Sequence, residues 1–308
     1  MKNKILFIAL TFVTLSLYAL DANDRKALIA LYNSTGGDSW VNSLSDGGSF
    51  TDDNNNNKIW LIDEEDTEDI WEGLTIENDR VVAIDLPNYN LEGELPEELA
   101  LLTELVHLDL SSNDISGKLP AGLSNLSKLT SIDLSFNHLS GDLPTGLGDV
   151  NGLISLNLSF NEFEGKIPES IGNLSKLRYL ELNNNKLEGS IPHSLGNNLD
   201  TRVLDLSSNQ IGGFIPHELG KLRKLDEIHL NNNRLIGFIP VDLTYITSLE
   251  VLELENNLLR GGLPENFKLM GHLTTLNLDG NGLDEKSLLD FEGNIINYSH
   301  DNQKKATK

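Results

Sequence analysis

From Val81 onward the chain repeats one arrangement of apolar and polar positions every 24 residues, and the register holds without an insertion to about Asp290. In the second copy the apolar positions are Leu105, Leu108, Leu110, Ile115 and Leu119, punctuated by Asn113, Gly117 and Pro120. The other copies begin at Val81, Leu129, Leu153, Leu177, Thr201, Leu225, Leu249 and Leu273, which makes nine. Each Leu-x-Leu step is the period-two alternation of a short strand with one buried side. Such a strand cannot bury that side alone. The pattern therefore predicts a stack of parallel strands about 4.8 Å apart, each turn touching only its neighbours, with the sheet forming a concave face.

The Asn of each copy from the second on (Asn113, Asn137, Asn161, Asn185, Asn209, Asn233, Asn257 and Asn281) falls where the chain turns out of the strand. Its amide carries both donors and an acceptor, so a buried column of Asn is expected to satisfy backbone groups rather than hold a ligand. The segments Leu177 to Pro192 and Leu225 to Pro240 follow L-x-x-L-x-L-x-x-N-x-L-x-G-x-I-P almost letter for letter. In this they resemble the plant-type leucine-rich repeat. The resemblance implies an α/β-type leucine-rich-repeat solenoid: a right-handed superhelix or horseshoe with a parallel β-sheet on its concave face. An irregular, 3-10-rich convex side, a second small strand near Gly-x-Ile-Pro and a small helical N-terminal cap complete it. Departures cluster toward the ends. Tyr89 replaces the first Asn, Thr201 the sixth leading Leu, and the ninth copy has Glu285 in place of Gly and no Pro.

The sequence divides into a signal over 1–22, an N-terminal cap over 23–80, the nine repeats over 81–290 and a C-terminal cap or tail over 291–308. Lys2 and Lys4 precede an apolar run from Ile5 to Leu20, too short and too interrupted by Thr and Ser for a membrane span; it reads as a secretory signal cleaved after Ala19 or Ala22. The expected location is extracellular or periplasmic, with surface association open. There is no cysteine, which excludes disulfides, thiolate metal sites and a Cys nucleophile. Plant members of the resembled family usually close their caps with cysteines, so this chain fits an exported bacterial relative and must close its ends by packing.

In the cap, Ala27, Leu28, Leu31 and Tyr32 share one face of a helix that Gly36 and Gly37 should stop. Trp40, Trp60 and Trp71 are the chain's three tryptophans and are expected to cover the open end of the solenoid, with an aromatic sugar platform as the alternative. Asp52 to Asp79 holds eleven carboxylates and one Lys. Within it Asp53, Asn55, Asn57 and Glu64 match ligand positions of a calcium loop. Lys58 stands where that loop needs Gly, so a solvated acidic loop is the favoured reading.

The formal charge of −24 argues against nucleic-acid binding. No nucleotide loop, His-based metal spacing or paired catalytic carboxylates appear, so the chain reads as non-enzymatic, with no cofactor. Function is expected in the columns that point out of the concave sheet. One column holds Asp85, Asp109, Asp133, Asn157, Glu181, Asp205, His229, Glu253 and Asn277, and its acids are also what the family consensus carries to brace the following loop. In copies two to four the neighbouring positions give a mildly apolar patch with Val106, Phe136, Ile154 and Phe160. In copies five to eight they give Arg178, Tyr179, Arg202, Asp226, Glu227 and Glu250 beside Glu181, Asp205, His229 and Glu253. This second patch is where a protein partner is expected, since Arg and Tyr are favoured interface anchors; charge pairing along the sheet competes with that reading. The chain is thus expected to be a secreted, monomeric protein-interaction module, receptor-like or hydrolase-inhibitor-like. The alternative is a structural surface protein that binds glycan, ice or cations through polar pairs such as Asn183-Asn184 and Asn231-Asn232.

Overall fold

The computed structural model of the protein describes residues 20–40, 50–51, 57–58, 60–61, 70–289, 291, 295, 297–301 and 303. The expected signal, the basic tail and the calcium-loop candidates Asp53, Asn55 and Glu64 lie outside the described residues, and of Asn57 only the backbone is described.

Each Leu-x-Leu step forms a three-residue strand, from His107–Asp109 to Thr275–Asn277, and these strands pair in parallel and in register, repeat upon repeat. The sheet has eleven strands. At its start Leu74–Glu77 pairs antiparallel with Arg80–Asp85, and at its end Asn297–Ser299 adds a parallel strand to the ninth repeat. The inward leucines of all turns form one continuous core, most of them with no exposed surface. Opposite the sheet, a Pro-started 3-10 turn closes each of the first eight repeats, from Glu97–Leu101 to Glu265–Leu269. The ninth repeat, which has no Pro there, closes with the short α-helix Glu285–Leu289.

The Asn column does the backbone work expected of it. Asn161 Nδ2 donates to the carbonyls of Leu134 (2.9 Å), Leu158 and Ser159, and its Oδ1 accepts from Leu139 N at 2.9 Å. Each amide thus ties its own repeat to the one before. Where Tyr89 replaces Asn in the first repeat, its ring is buried instead and its hydroxyl lies 3.3 Å from Glu72 Oε1. Burial beside that carboxylate pushes the phenol up to about 12. Past the last repeat, Gln303 supplies the missing amide: Nε2 donates to Leu278 and His300 carbonyls, and Oε1 accepts from Leu283 N, all near 3 Å.

The cap helix α1 spans Ala22–Ser34 and buries Ala27, Leu28, Leu31 and Tyr32, with Gly36 and Gly37 in the turn beyond it. Asp21 caps it by accepting from Asn23 N and Asp24 N, so a cut after Ala22 would remove this cap whereas one after Ala19 keeps it. Asp24, fully buried, receives Arg80 Nε at 3.0 Å, Arg80 Nη2 at 2.9 Å and Val81 N at 2.7 Å. Trp40 and Trp60 are fully buried with ring centroids 4.7 Å apart, their indole N–H groups held by Thr35 and Glu72 carbonyls, and Trp71 packs edge-on against Trp60. Their burial removes Trp40 and Trp60 from the sugar-platform alternative, since rings without exposed faces cannot stack on a sugar, while Trp71 is partly buried.

Candidate interaction surface on the concave sheet

Because the strands pair in register, residues one repeat apart stand side by side: Glu181 beside Asp205, Asp205 beside His229, His229 beside Glu253. Along most of this column the side chain braces its own loop. Asp109, Asp133, Asn157 and Asp205 each accept through Oδ1 from the backbone N–H of the Ser two residues on, and Asn277 does the same with Asp279. The consensus acid is structural at those positions.

Four members break the pattern, the first being Asp85, where Pro87 two residues on has no N–H to donate. At Glu181, His229 and Glu253 the residue two positions on is Asn183, Asn231 or Glu255 rather than Ser, and the side chains of His229 and Glu253 turn to each other. His229 Nδ1 lies 2.7 Å from Glu253 Oε2 and Nε2 lies 3.1 Å from Glu227 Oε2. Burial opposes the imidazolium, but the bonds to Glu253 and Glu227, with the nearby Asp205 charge, outweigh it and raise the His229 pKa. Glu181 and Glu255 are also raised, each chiefly by burial and then by neighbouring acids, Asp205 for the first and Glu253 for the second. Asn183 Oδ1, Asn231 Oδ1 and Glu255 Oε2 are buried acceptors that meet no donor among the described residues. The variation from Ser to Asn and Glu in this second column was the sequence signal for them. Among the described residues no cluster of His, Asp and Glu has metal-holding geometry.

At the strand entrance, Arg202 pairs with Asp226 at 3.2 Å. Arg178 and Tyr179, one repeat earlier, are exposed, and their side chains meet neither a hydrogen-bond nor an ion-pair partner among the described residues. Glu250 is exposed at the same edge. Charge pairing along the sheet thus accounts for Arg202 and His229 but not for Arg178 and Tyr179.

Of the mildly apolar positions, Val106 and Ile154 precede their strands, whereas Phe136 and Phe160 follow theirs, so the four divide between the two ends of the strands. Phe136 and Phe160 stack with centroids 4.2 Å apart and planes 9° from parallel. They are 53% and 42% exposed, with φ of 54° and 53°. Their counterparts in other repeats, such as Asn184 and Ser208, hold the same left-handed turn with residues that accept it more readily. Of the polar pairs, Asn232 Oδ1 accepts from Asn256 Nδ2 at 2.9 Å.

The model of the leucine-rich-repeat family matches residues 104–126, 128–150, 152–174, 176–198, 200–222 and 248–270. The solved ectodomain of the Arabidopsis thaliana membrane receptor kinase GASSHO1/SCHENGEN3, in complex with CASPARIAN STRIP INTEGRITY FACTOR 2, is 34% identical over 69% of this chain and 29% of that one, with a TM-score of 0.64. The Arabidopsis receptor kinase HAESA, in complex with the peptide hormone IDA and the co-receptor SERK1, is 31% identical over 86% of this chain and 42% of its own, with a TM-score of 0.69. The chain is a leucine-rich-repeat protein of the plant type. It spans less than half the length of either receptor ectodomain. A plant ice-binding protein shares the fold at 23% identity and a TM-score of 0.59, over 94% of this chain and all of its own. No curated protein matches by sequence. Among the described residues of this leucine-rich-repeat protein, no helix is long and apolar enough to cross a membrane.

Proposed function

We propose that this leucine-rich-repeat protein is an exported, monomeric interaction module that binds an extended segment of another protein across the concave face of its fifth to eighth repeats. The observation that carries the reading is the pair Arg178 and Tyr179, an exposed cation and aromatic whose side chains meet no hydrogen-bond or ion-pair partner among the described residues, at the edge of an acidic trough. Exposed Arg and Tyr that are free to make new contacts are the usual anchors of interfaces. Glu181, Asp205, Glu227 and Glu253 line the trough, with Arg202, Asp226 and Glu250 along its entrance and His229 held between two of the acids. Such a surface suits a partner that presents basic groups to the acids and a carboxylate or apolar ring to Arg178 and Tyr179. The stacked Phe136 and Phe160 offer a second contact, since exposed rings on a strained backbone point to use. The receptor ectodomains that share the fold were solved with peptide or protein ligands, which supports the class of partner.

The test is capture from native secretions with the mature chain beside an Arg178→Ala/Tyr179→Ala/Arg202→Ala variant, with bound species identified by mass spectrometry and a glycan array run in parallel. A protein retained only by the unmodified chain supports the reading. Equal capture by both, or binding confined to the glycan array, overturns it.

A further inference from the structure

The lateral edge of the solenoid, where the chain leaves the strand toward Gly-x-Ile-Pro, changes character partway along. In repeats two to five the three outward columns carry mainly charged or small side chains: Asp114, His138, Glu162 and Lys186 in the first, and Lys118, Asp142, Lys166 and Ser190 in the third. They pair across repeats, as in His138 with Asp114 at 3.0 Å and Lys186 with Glu162 at 2.8 Å. In repeats six to eight the same columns hold Phe214, Ile236, Phe238 and Leu258. Backbone pairing sets Phe214 beside Ile236 and Ile236 beside Leu258, and Phe238 follows Ile236 on the same outward side, with buried Gly237 between them.

Nothing in the fold asks for aromatic rings here. From the first repeat to the seventh the third-column side chain lies over the glycine of the next repeat: Phe214 covers Gly237 and Phe238 covers Gly261 as Lys166 covers Gly189. A lysine stem or a serine does that work elsewhere, yet the two rings remain 64% and 62% exposed, with Leu258 at 51% and Ile236 at 41%. Together they present on the order of 400 Å² of contiguous apolar surface, within the range of patches that mark interaction sites.

Two arginines frame this row. Arg260 sits over the Phe238 ring at 5.5 Å, and Arg234 donates to Gln210 Oε1 at 2.9 Å; among the described residues neither has a carboxylate partner. In a chain with 47 acidic and 23 basic side chains, unpaired cations beside an apolar row are a local reversal of sign. We infer that this lateral edge is a second docking surface, and that it takes a short extended segment of another protein bearing apolar side chains flanked by carboxylates. The rings and aliphatic side chains would receive the apolar residues, while Arg234 and Arg260 would receive the acids as charge-assisted hydrogen bonds. The area decides against a second copy of this chain, because a stable dimer needs about 800 Å² from each partner and this row supplies about half of that.

The surface is tested by panning a random-peptide library displayed on phage against the immobilised full chain. Binders to Phe214→Ser/Phe238→Ser are first removed, which also discards concave-face binders. Serine already occupies this column at Ser190, and circular dichroism confirms that the variant folds. Selected peptides are expected to combine apolar residues with Asp or Glu. They should bind the unmodified chain about tenfold or more tighter than the serine variant, a difference of about 1.4 kcal/mol. They should also lose affinity for Arg234→Glu/Arg260→Glu and bind Arg178→Ala/Tyr179→Ala unchanged. Basic or uncharged consensus peptides, peptides indifferent to the phenylalanines, or no enrichment would overturn the inference. Self-association in sedimentation equilibrium that the serine substitutions abolish would overturn it in favour of a second copy.

Discussion

Asp24 and Arg80, separated by 56 positions in the chain, meet through two hydrogen bonds that fasten the cap helix to the head of the repeat array. The carboxylate is fully buried and also accepts from Val81 N, so every strong contact it makes reaches across that junction. Removing one member of such a pair leaves the other without compensation. Asp24→Ala should cost about 3 kcal/mol or more. Chemical denaturation of the variant measures it, and a loss below about 1 kcal/mol would show that the helix is held by its leucines alone.

His229 gives stability a pH dependence whose sign can be worked out. Its pKa is raised in the folded chain, so folding favours the imidazolium. That contribution is complete below the ordinary value of 6.5 and is lost as pH rises through the raised value. Glu181 and Glu255 act in the same sense at lower pH: their raised pKa values favour the neutral acids, a gain complete below 4.5 and lost as pH rises through the folded values. The groups that face His229 are Glu227, Glu253 and Asp205, with Glu255 and Glu181 also within its electrostatic reach. Thermal melts should give a higher Tm near about pH 6 than near about pH 8, and His229→Gln should shrink that difference. An unchanged difference in the variant would refute the assignment.

The two kinds of Asn on the sheet side should respond very differently to truncation. Asn161→Ala deletes an amide that serves one backbone N–H and three carbonyls, and should cost about 3 kcal/mol. Asn183, whose Oδ1 has no donor, should cost less than about 1 kcal/mol as Asn183→Ala. Equal losses in denaturant melts would contradict the division between structural and free amides.

For Phe136 and Phe160 two effects nearly cancel. Replacing both by Asn, the residue at Asn184 in the same column, relieves left-handed strain of about 1 kcal/mol at each site. It also removes a ring stack worth about 1 kcal/mol beyond its buried area. The double variant should therefore stay within about 1 kcal/mol of the parent in stability. A loss of several kcal/mol would make the stack a folding element rather than a contact surface.

What could be read from the sequence was whatever recurs. The leucine and asparagine columns predict the strands, their register and the amide ladder because each position is stated eight or nine times. The cap helix was legible from Ala27, Leu28, Leu31 and Tyr32, which share one face. Singular features were not legible. Asp24 looks like any polar residue on a helix, and only the fold brings Arg80 to it. The bracing role of Asp109 or Asp133 was open to sequence, whereas the partners of His229 depend on side-chain direction. Phe214 and Phe238 escaped because an apolar residue beside Ile-Pro looks like core until its exposure is known.

Gln303 has one more implication. It reaches the carbonyl of Leu278 and the N–H of Leu283, the groups that stand one repeat beyond those served by Asn281, but it does so from two positions short of where the next Asn would fall. A longer side chain makes up for a shorter turn. Gln303 thus closes the array through backbone groups alone, and its bonds carry no information about how many repeats precede it. Whole 24-residue units could be duplicated or lost upstream of Gln303 without rebuilding either terminus, so the length of the concave face is free to follow the size of whatever it holds.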